Sequence, residues 1–402
     1  MYRHAEKLDK RKIKLLSFIS FFMGFLQALF LYVMSIYFKE ASGTENIGPF
    51  YIFSYAVVLF LLLNLHKLTR IIGKANVFYF SLLFKMVTLV LLLMLPPSYL
   101  SIGALMLYIV FGTIQWVSLD VILESFSIDN MSGRIRGKQI SIVHLGFILA
   151  PMLSTYFLAK FGYSSIFLTL FICNAFLFVV ALIGFRRVNE KFREDLSVKE
   201  FFRRLVRRKN VQRIYYISFV LEFFYALALV YIPLYLINLG MPLEKMGLVF
   251  SFMLIPFLIL PYPLGILADK KTGEKEMLGI SVLILAISMV AIYLIGSKEI
   301  WIWGIILFGT RIGAAMLESM RDSYFYKRIA SCDMDLINFF RTGRPVAYIL
   351  SSGIAFLIFI FYPENAIRVI FIVVALVSIS ALYPIWKLID NKSENETCTK
   401  SN

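Results

Sequence analysis

Apolar stretches of about 20 residues recur along almost the whole chain, each long enough to cross roughly 30 Å of hydrocarbon as a helix. No soluble core needs so many. Hydrophobic residues make up 60% of the sequence and charged residues only 16%, against about a quarter charged in a soluble domain. Read between charged or turn-rich breaks, the runs predict spans near 13–38, 47–65, 76–96, 99–127, 138–160, 164–186, 213–238, 244–267, 276–296, 299–327, 335–361 and 366–389. The basic N-terminus looks like the start of a signal peptide. The run after it is too long for a cleavable segment and has no convincing small-residue cleavage site, so it is expected to stay as the first span.

A net charge of +16 raises the possibility of a nucleic-acid binder, which would gather its basic residues on one face. Here they sort into alternate connections instead. The N-terminus, the connections near 66–75, 128–138, 186–213, 268–275 and 327–334, and the tail hold about 31 of the 41 Lys and Arg residues. The intervening connections hold Lys39, Lys160, Lys245, Lys298 and Arg368. Because positive loops are retained in the cytoplasm, both termini are predicted to be cytoplasmic, in a multi-pass protein of the cell membrane. Lipid is then the expected macromolecular surroundings, nucleic acid is excluded, and the chain is expected to be monomeric. Three cysteines, Cys173, Cys332 and Cys398, do not suggest a disulfide framework.

The longest connection divides the chain into two equal parts. This gives an N-terminal bundle at 1–186, a linker at 187–212, a C-terminal bundle at 213–389 and a polar tail at 390–402. In the linker, Ser197-Val198-Lys199-Glu200 has capping-box spacing, and Val198, Phe201, Phe202 and Leu205 share a helical face. That pattern fits a helix on the anionic inner leaflet, and a solvated basic linker is the other reading. Sliding the halves by 197 positions superimposes Val110-Phe111-Gly112-Thr113 on Leu307-Phe308-Gly309-Thr310, and Gly146 on Gly343. The expected fold is therefore an all-α membrane protein of twelve transmembrane helices in two pseudo-symmetric six-helix bundles. Such repeats place a site near the midplane, and rocking of the halves alternates access to it.

Gly265-Ile266-Leu267-Ala268-Asp269, followed by Lys270-Lys271-Thr272-Gly273, resembles the loop motif of the major facilitator superfamily, and it follows the second span of its half. The first-half loop keeps Leu68, Gly73 and its basic residues but has Arg70 where the family has Asp. Asp129, seven residues before Arg136-Gly137-Lys138, matches the family's spacing between its fourth and fifth spans. Gly146, Ala150, Pro151 and Ser154 resemble its small-residue segment in the fifth span, with two glycines replaced. Two readings of that segment stay open: ordinary close helix packing, or the part it plays in the family's exporters. The resemblance implies a transporter of a small molecule in which spans 1, 4, 7 and 10 line the cavity and Asp269 latches one conformation.

Ionisable residues inside hydrocarbon are costly unless paired or wet, so each is a candidate. Counting inward from the cytoplasmic end of each span at 1.5 Å per residue puts Lys85, Asp120, Glu222, Glu318 and Arg344 near one level. Arg311 lies toward the outer side, and Glu124, His144, Asp322 and Arg341 lie toward the cytoplasm. In the tenth span Arg311, Glu318 and Asp322 share a stripe, with Arg321 at its edge. Matching levels predicts Glu318 with Arg344, Asp322 with Arg341, Asp120 with Lys85 and Glu124 with His144. Two roles for the tenth- and eleventh-span cluster stay open, a gating salt-bridge network or direct contact with an anionic or zwitterionic substrate. Glu222 has no obvious basic partner at its level, which makes it the preferred proton-coupling candidate, against a wet passive carboxylate. Gln27 and Gln115 could bond substrate or simply bond between helices.

No metal or nucleophile constellation and no phosphate-binding loop is present, so neither cofactor nor enzymatic activity is expected. Secondary active transport, coupled to a proton or another ion, is the leading expectation. The alternatives are a polytopic membrane enzyme or a non-transporting receptor on a transporter fold.

Overall fold

The computed structural model describes residues 10–124, 132–185, 208–268, 272–327 and 334–389. They form α1 (Lys10–Ser42), α2 (Gly48–Leu63), α3 (Leu65–Ile72), α4 (Lys74–Met94), α5 (Tyr99–Glu124), α6 (Ser132–Phe161), α7 (Tyr163–Gly184) and α8 (Lys209–Asn238). The second half continues with α9 (Leu243–Met253), α10 (Ile255–Ile259), α11 (Pro261–Leu267), α12 (Gly273–Leu294), α13 (Ile300–Lys327), α14 (Met334–Phe361), α15 (Ala366–Ser380) and α16 (Leu382–Trp386). Eleven of the twelve predicted spans are helical stretches long and apolar enough to cross a membrane. The remaining one, α2, has 16 residues. It breaks at Asn64, whose side-chain amide donates to the Phe60 carbonyl at 2.9 Å, and the chain resumes as α3.

The eighth span is three short helices rather than one, and proline explains both breaks. Pro256 and Pro261 lack an N–H, and a proline ring clashes with the carbonyl four residues back, so α9 stops at Met253 and α10 at Ile259. The linker helix expected near 197–205 lies outside the described residues, as does the tail.

Large apolar side chains such as Phe53, Phe60, Ile183, Ile287, Ile305 and Leu376 point outward, as a lipid-facing surface requires. Hydroxyls buried within the helices are satisfied locally. Ser20, Ser118 and Ser378 each donate to the carbonyl four residues back, and Ser281 donates three residues back, so these buried hydroxyls are not left bare in the helix packing.

The described residues divide into two compact units, one spanning 1–194 with Leu229–Phe252 and one spanning 195–228 with 253–402. Within the first, α4 packs on α5 and α7, α2 on α5, and α1 on α6. Within the second, α12 packs on α13 and α15, while α10 and α11 lie on α13. The same neighbours thus recur at equivalent places, which is the internal repeat expressed in three dimensions. Gly146 sits so close to α1 that an added Cβ would lie 2.5 Å from the Phe21 carbonyl oxygen. Its counterpart Gly343 faces Tyr215 and Ser218 of α8. Gly73 and Gly273, at the starts of α4 and α12, both take positive φ (87° and 77°), a backbone state that other residues rarely adopt.

Candidate functional site

The densest cluster of charge among the described residues lies in the second unit, where α8, α13 and α14 meet. Ser218, Glu222 and Tyr225 follow i, i+4, i+7 spacing on α8 and so share one stripe. Glu318 and Arg321 of α13 and Arg344 of α14 meet that stripe; Arg311 and Asp322 lie on the same α13, and Arg341 on the same α14.

Arg321 is the hub. Its guanidinium donates through Nε to Asp322 Oδ1 at 2.8 Å and through Nη1 to Ser218 Oγ at 3.2 Å. Nη1 also lies 3.8 Å from Glu222 Oε1, and Phe340 covers the guanidinium with its ring centroid 5.5 Å away. Glu222 is held from its other side by Arg344, whose Nε lies 3.9 Å from Oε2. Tyr225 donates its hydroxyl to Glu318 Oε2 at 2.7 Å.

This geometry corrects two expectations. Glu222 does not lack a basic partner, because helix packing brings it to Arg321 and Arg344 together. Level matching alone could not see that, since Arg321 lies about a turn nearer the cytoplasmic end of its helix than the level of Glu222. Nor does Glu318 take Arg344; the tyrosine three residues beyond Glu222 reaches Glu318 instead. Asp322 pairs with its sequence neighbour Arg321. Side-chain length and direction, which counting along a helix ignores, decide both corrections.

Arg311 stands apart from this network. Its side chain is 1% exposed and lies with its guanidinium 5.5 Å from the centroid of the Phe224 ring. Nε and Nη2 have no hydrogen-bond partner among the described residues.

The sequence profile of the Major Facilitator Superfamily matches residues 16–329. The chain belongs to that superfamily. That family, and the transporter folds described next, make it a membrane transporter. No curated protein matches the sequence. Among solved structures it is similar to a POT family transporter in complex with 5-aminolevulinic acid, with a TM-score of 0.76 at 13% identity, covering 94% of this chain and 96% of that one. It is also similar to the nucleoside transporter NupG, with a TM-score of 0.68 at 13% identity, covering 94% of this chain and 98% of that one. Identities this low show a shared fold alone.

In this superfamily member the first-half candidates are arranged differently from expectation. Lys85 is buried and donates to Gln115 Oε1 at 3.2 Å, with its ammonium 5.0 Å from the Tyr108 ring centroid. It does not pair with Asp120. The amide of Gln115, one turn earlier on α5, captures it, and Gln115 therefore bonds between helices in this structure. Gln27 is half-buried on α1, and His144 lies with its ring 6.0 Å from that of Phe147. The Glu124 side chain lies outside the described residues, so the Glu124–His144 pairing is not addressed by them. Asp269 lies outside them too, while Gly265 of the same motif sits in α11 with open space where a Cβ would be.

Sequence reasoning missed a second polar cluster, in the first unit. Lys39 Nζ donates to Glu45 Oε1 at 2.6 Å and to Asn238 Oδ1 at 2.9 Å, while Asn238 Nδ2 donates to Glu45 at 2.8 Å. Elsewhere in the same unit, Tyr32 stacks on Phe250 with ring centroids 4.7 Å apart. Gly247 sits so close to α6 that a Cβ would meet Thr155 and Met152. The small-residue segment thus serves two partners, α1 through Gly146 and α9 through Pro151 to Thr155. No local pattern announces contacts spanning about 200 positions in sequence.

Proposed function

We propose that this superfamily member is a secondary active transporter that carries a small molecule through the cell membrane by alternating access, coupled to a proton through Glu222. One observation carries the coupling: a single carboxylate stands between two guanidiniums from different helices, Arg321 of α13 and Arg344 of α14. A carboxylate in that position has two exclusive states. Ionised, it ties α8 to both helices; protonated, it releases them. Each proton taken up or lost therefore changes how the three helices are joined, which is what coupling an ion to a conformational cycle requires.

The functional organisation that goes with this reading is two six-helix halves joined by a cytoplasmic linker at 187–212, with both termini in the cytoplasm and a monomeric carrier. The close contacts of Gly146 and Gly247 support the packing role of the small-residue segment. They do not bear on direction, and export is one direction the cycle allows.

Glu222→Gln tests the proposal, because the amide mimics a permanently protonated carrier. In vesicles the variant should still exchange substrate for substrate, since movement of the loaded form needs no further proton. It should fail to concentrate substrate in response to a pH gradient. Accumulation at the parent's level overturns Glu222 as the coupling group and moves attention to Asp120 and Glu124.

A further inference from the structure

On α8, α13 and α14 of the second unit stand Arg311, Arg321 and Arg344 along with Glu222, Glu318 and Asp322. Glu222 and Asp322 are within 4 Å of Arg321, and Glu222 also of Arg344. Arg311 and Glu318 are outside this ion-pair network among the described residues. They lie seven residues apart on one stripe of α13, so about 10 Å along the axis. The Tyr225 hydroxyl is bonded to Glu318 and within electrostatic reach of Arg311.

The two partnerless nitrogens of Arg311 are Nε and Nη2, which form one edge of the guanidinium. That edge presents two parallel N–H groups at the spacing of the two oxygens of a carboxylate. An arginine cannot shed its charge to escape burial, and a desolvated charge without a counter-ion is strongly unfavourable. An anionic group arriving at this edge would find its donors already oriented by Phe224. Glu318, half-buried, accepts from the Tyr225 phenol and feels the Arg321 guanidinium, but has no cation within ion-pair distance among the described residues, so an ammonium can still approach it.

We infer that the molecule carried is a small zwitterion of the amino-acid kind, its carboxylate docking on the Nε–Nη2 edge of Arg311 and its ammonium on Glu318. This rests on the transport reading above. A plain anion would be repelled by Glu318; a plain cation would leave Arg311 as it is.

Matched probes test this on the purified full-length protein, with binding read from the shift in its thermal unfolding midpoint. They are glycine, 4-aminobutyrate, 6-aminohexanoate and L-leucine, each against the acid lacking the amine and the amine lacking the carboxylate. At least one zwitterion should bind about tenfold or more tightly than both of its analogues. If no zwitterion binds more tightly than both of its analogues, or if all four fail to bind, the inference is overturned. Arg311→Lys keeps the charge but loses the two-point edge, and should weaken the zwitterion by about tenfold. Glu318→Gln should bring zwitterion and acid to parity. The wild-type comparison decides the matter even if a variant fails to fold. Counterflow of the binding zwitterion in proteoliposomes separates the two claims. Binding without exchange overturns the transport reading and leaves the site, whereas counterflow of a nucleoside or sugar without zwitterion binding does the reverse.

Discussion

Removing the hub of the second-unit network should expose how its charges depend on one another. In Arg321→Gln, Asp322 loses a partner at 2.8 Å and Glu222 one at 3.8 Å, and Ser218 loses its donor contact. Breaking a buried pair by deleting one partner costs about 3–5 kcal/mol. The Asp322 and Glu222 side chains are 24% and 18% exposed, so partial hydration brings the expected loss to about 2–3 kcal/mol. For the Arg321–Glu222 term alone, two unit charges about 4 Å apart interact by about 4 kcal/mol at an effective dielectric of 20. Competition from Asp322 for the same guanidinium and the retained Arg344 contact lower the measurable coupling to about 1–2 kcal/mol. The assay is a double-mutant cycle of Arg321→Gln and Glu222→Gln, followed by reversible unfolding in mixed micelles. The double variant should be more stable than the sum of the single losses predicts, because the second change removes a carboxylate that the first left exposed to its neighbours. Additive losses, within about 0.3 kcal/mol, would refute the pairing.

Gly146→Ala should lower stability by about 1–3 kcal/mol, since its Cβ would be forced against α1 backbone, whereas Gly353→Ala, with open space around it, should be nearly neutral in the same unfolding assay. Lys85→Met should leave stability unchanged or raise it by about 1 kcal/mol, because Lys85 has only an amide and a ring to compensate its burial; a large destabilisation would show that the ammonium is a structural cornerstone. Cysteines introduced at Glu45 and Lys298 should react with an impermeant reagent from outside, and those at Arg134 and Lys271 only from the cytoplasm. Labelling of the Arg134 and Lys298 positions from the same side would refute the orientation read from charge.

What the sequence determined by itself was the architecture. Apolar length, alternating loop charge and the 197-residue repeat are each summed over many residues, so no single interaction can overturn them. The spans, the matched glycines Gly146 and Gly343, and the superfamily were legible for that reason. The charged residues of the candidate site were also legible, because an ionisable group in hydrocarbon stands out against its background. Their partners were not. Depth along a helix is a one-dimensional coordinate, whereas an ion pair depends on helix rotation, on tilt and on where a side chain of several rotatable bonds comes to rest. Tertiary structure alone gave Glu222 two arginines, turned Lys85 to Gln115 and set Asn238 beside Lys39 and Glu45. It alone also kept Arg311 out of the network, buried against an aromatic ring with one edge of its guanidinium unused. Packing decides these contacts because helices dock through their whole apolar surfaces, and the few polar groups must then pair with whatever that docking brings within reach.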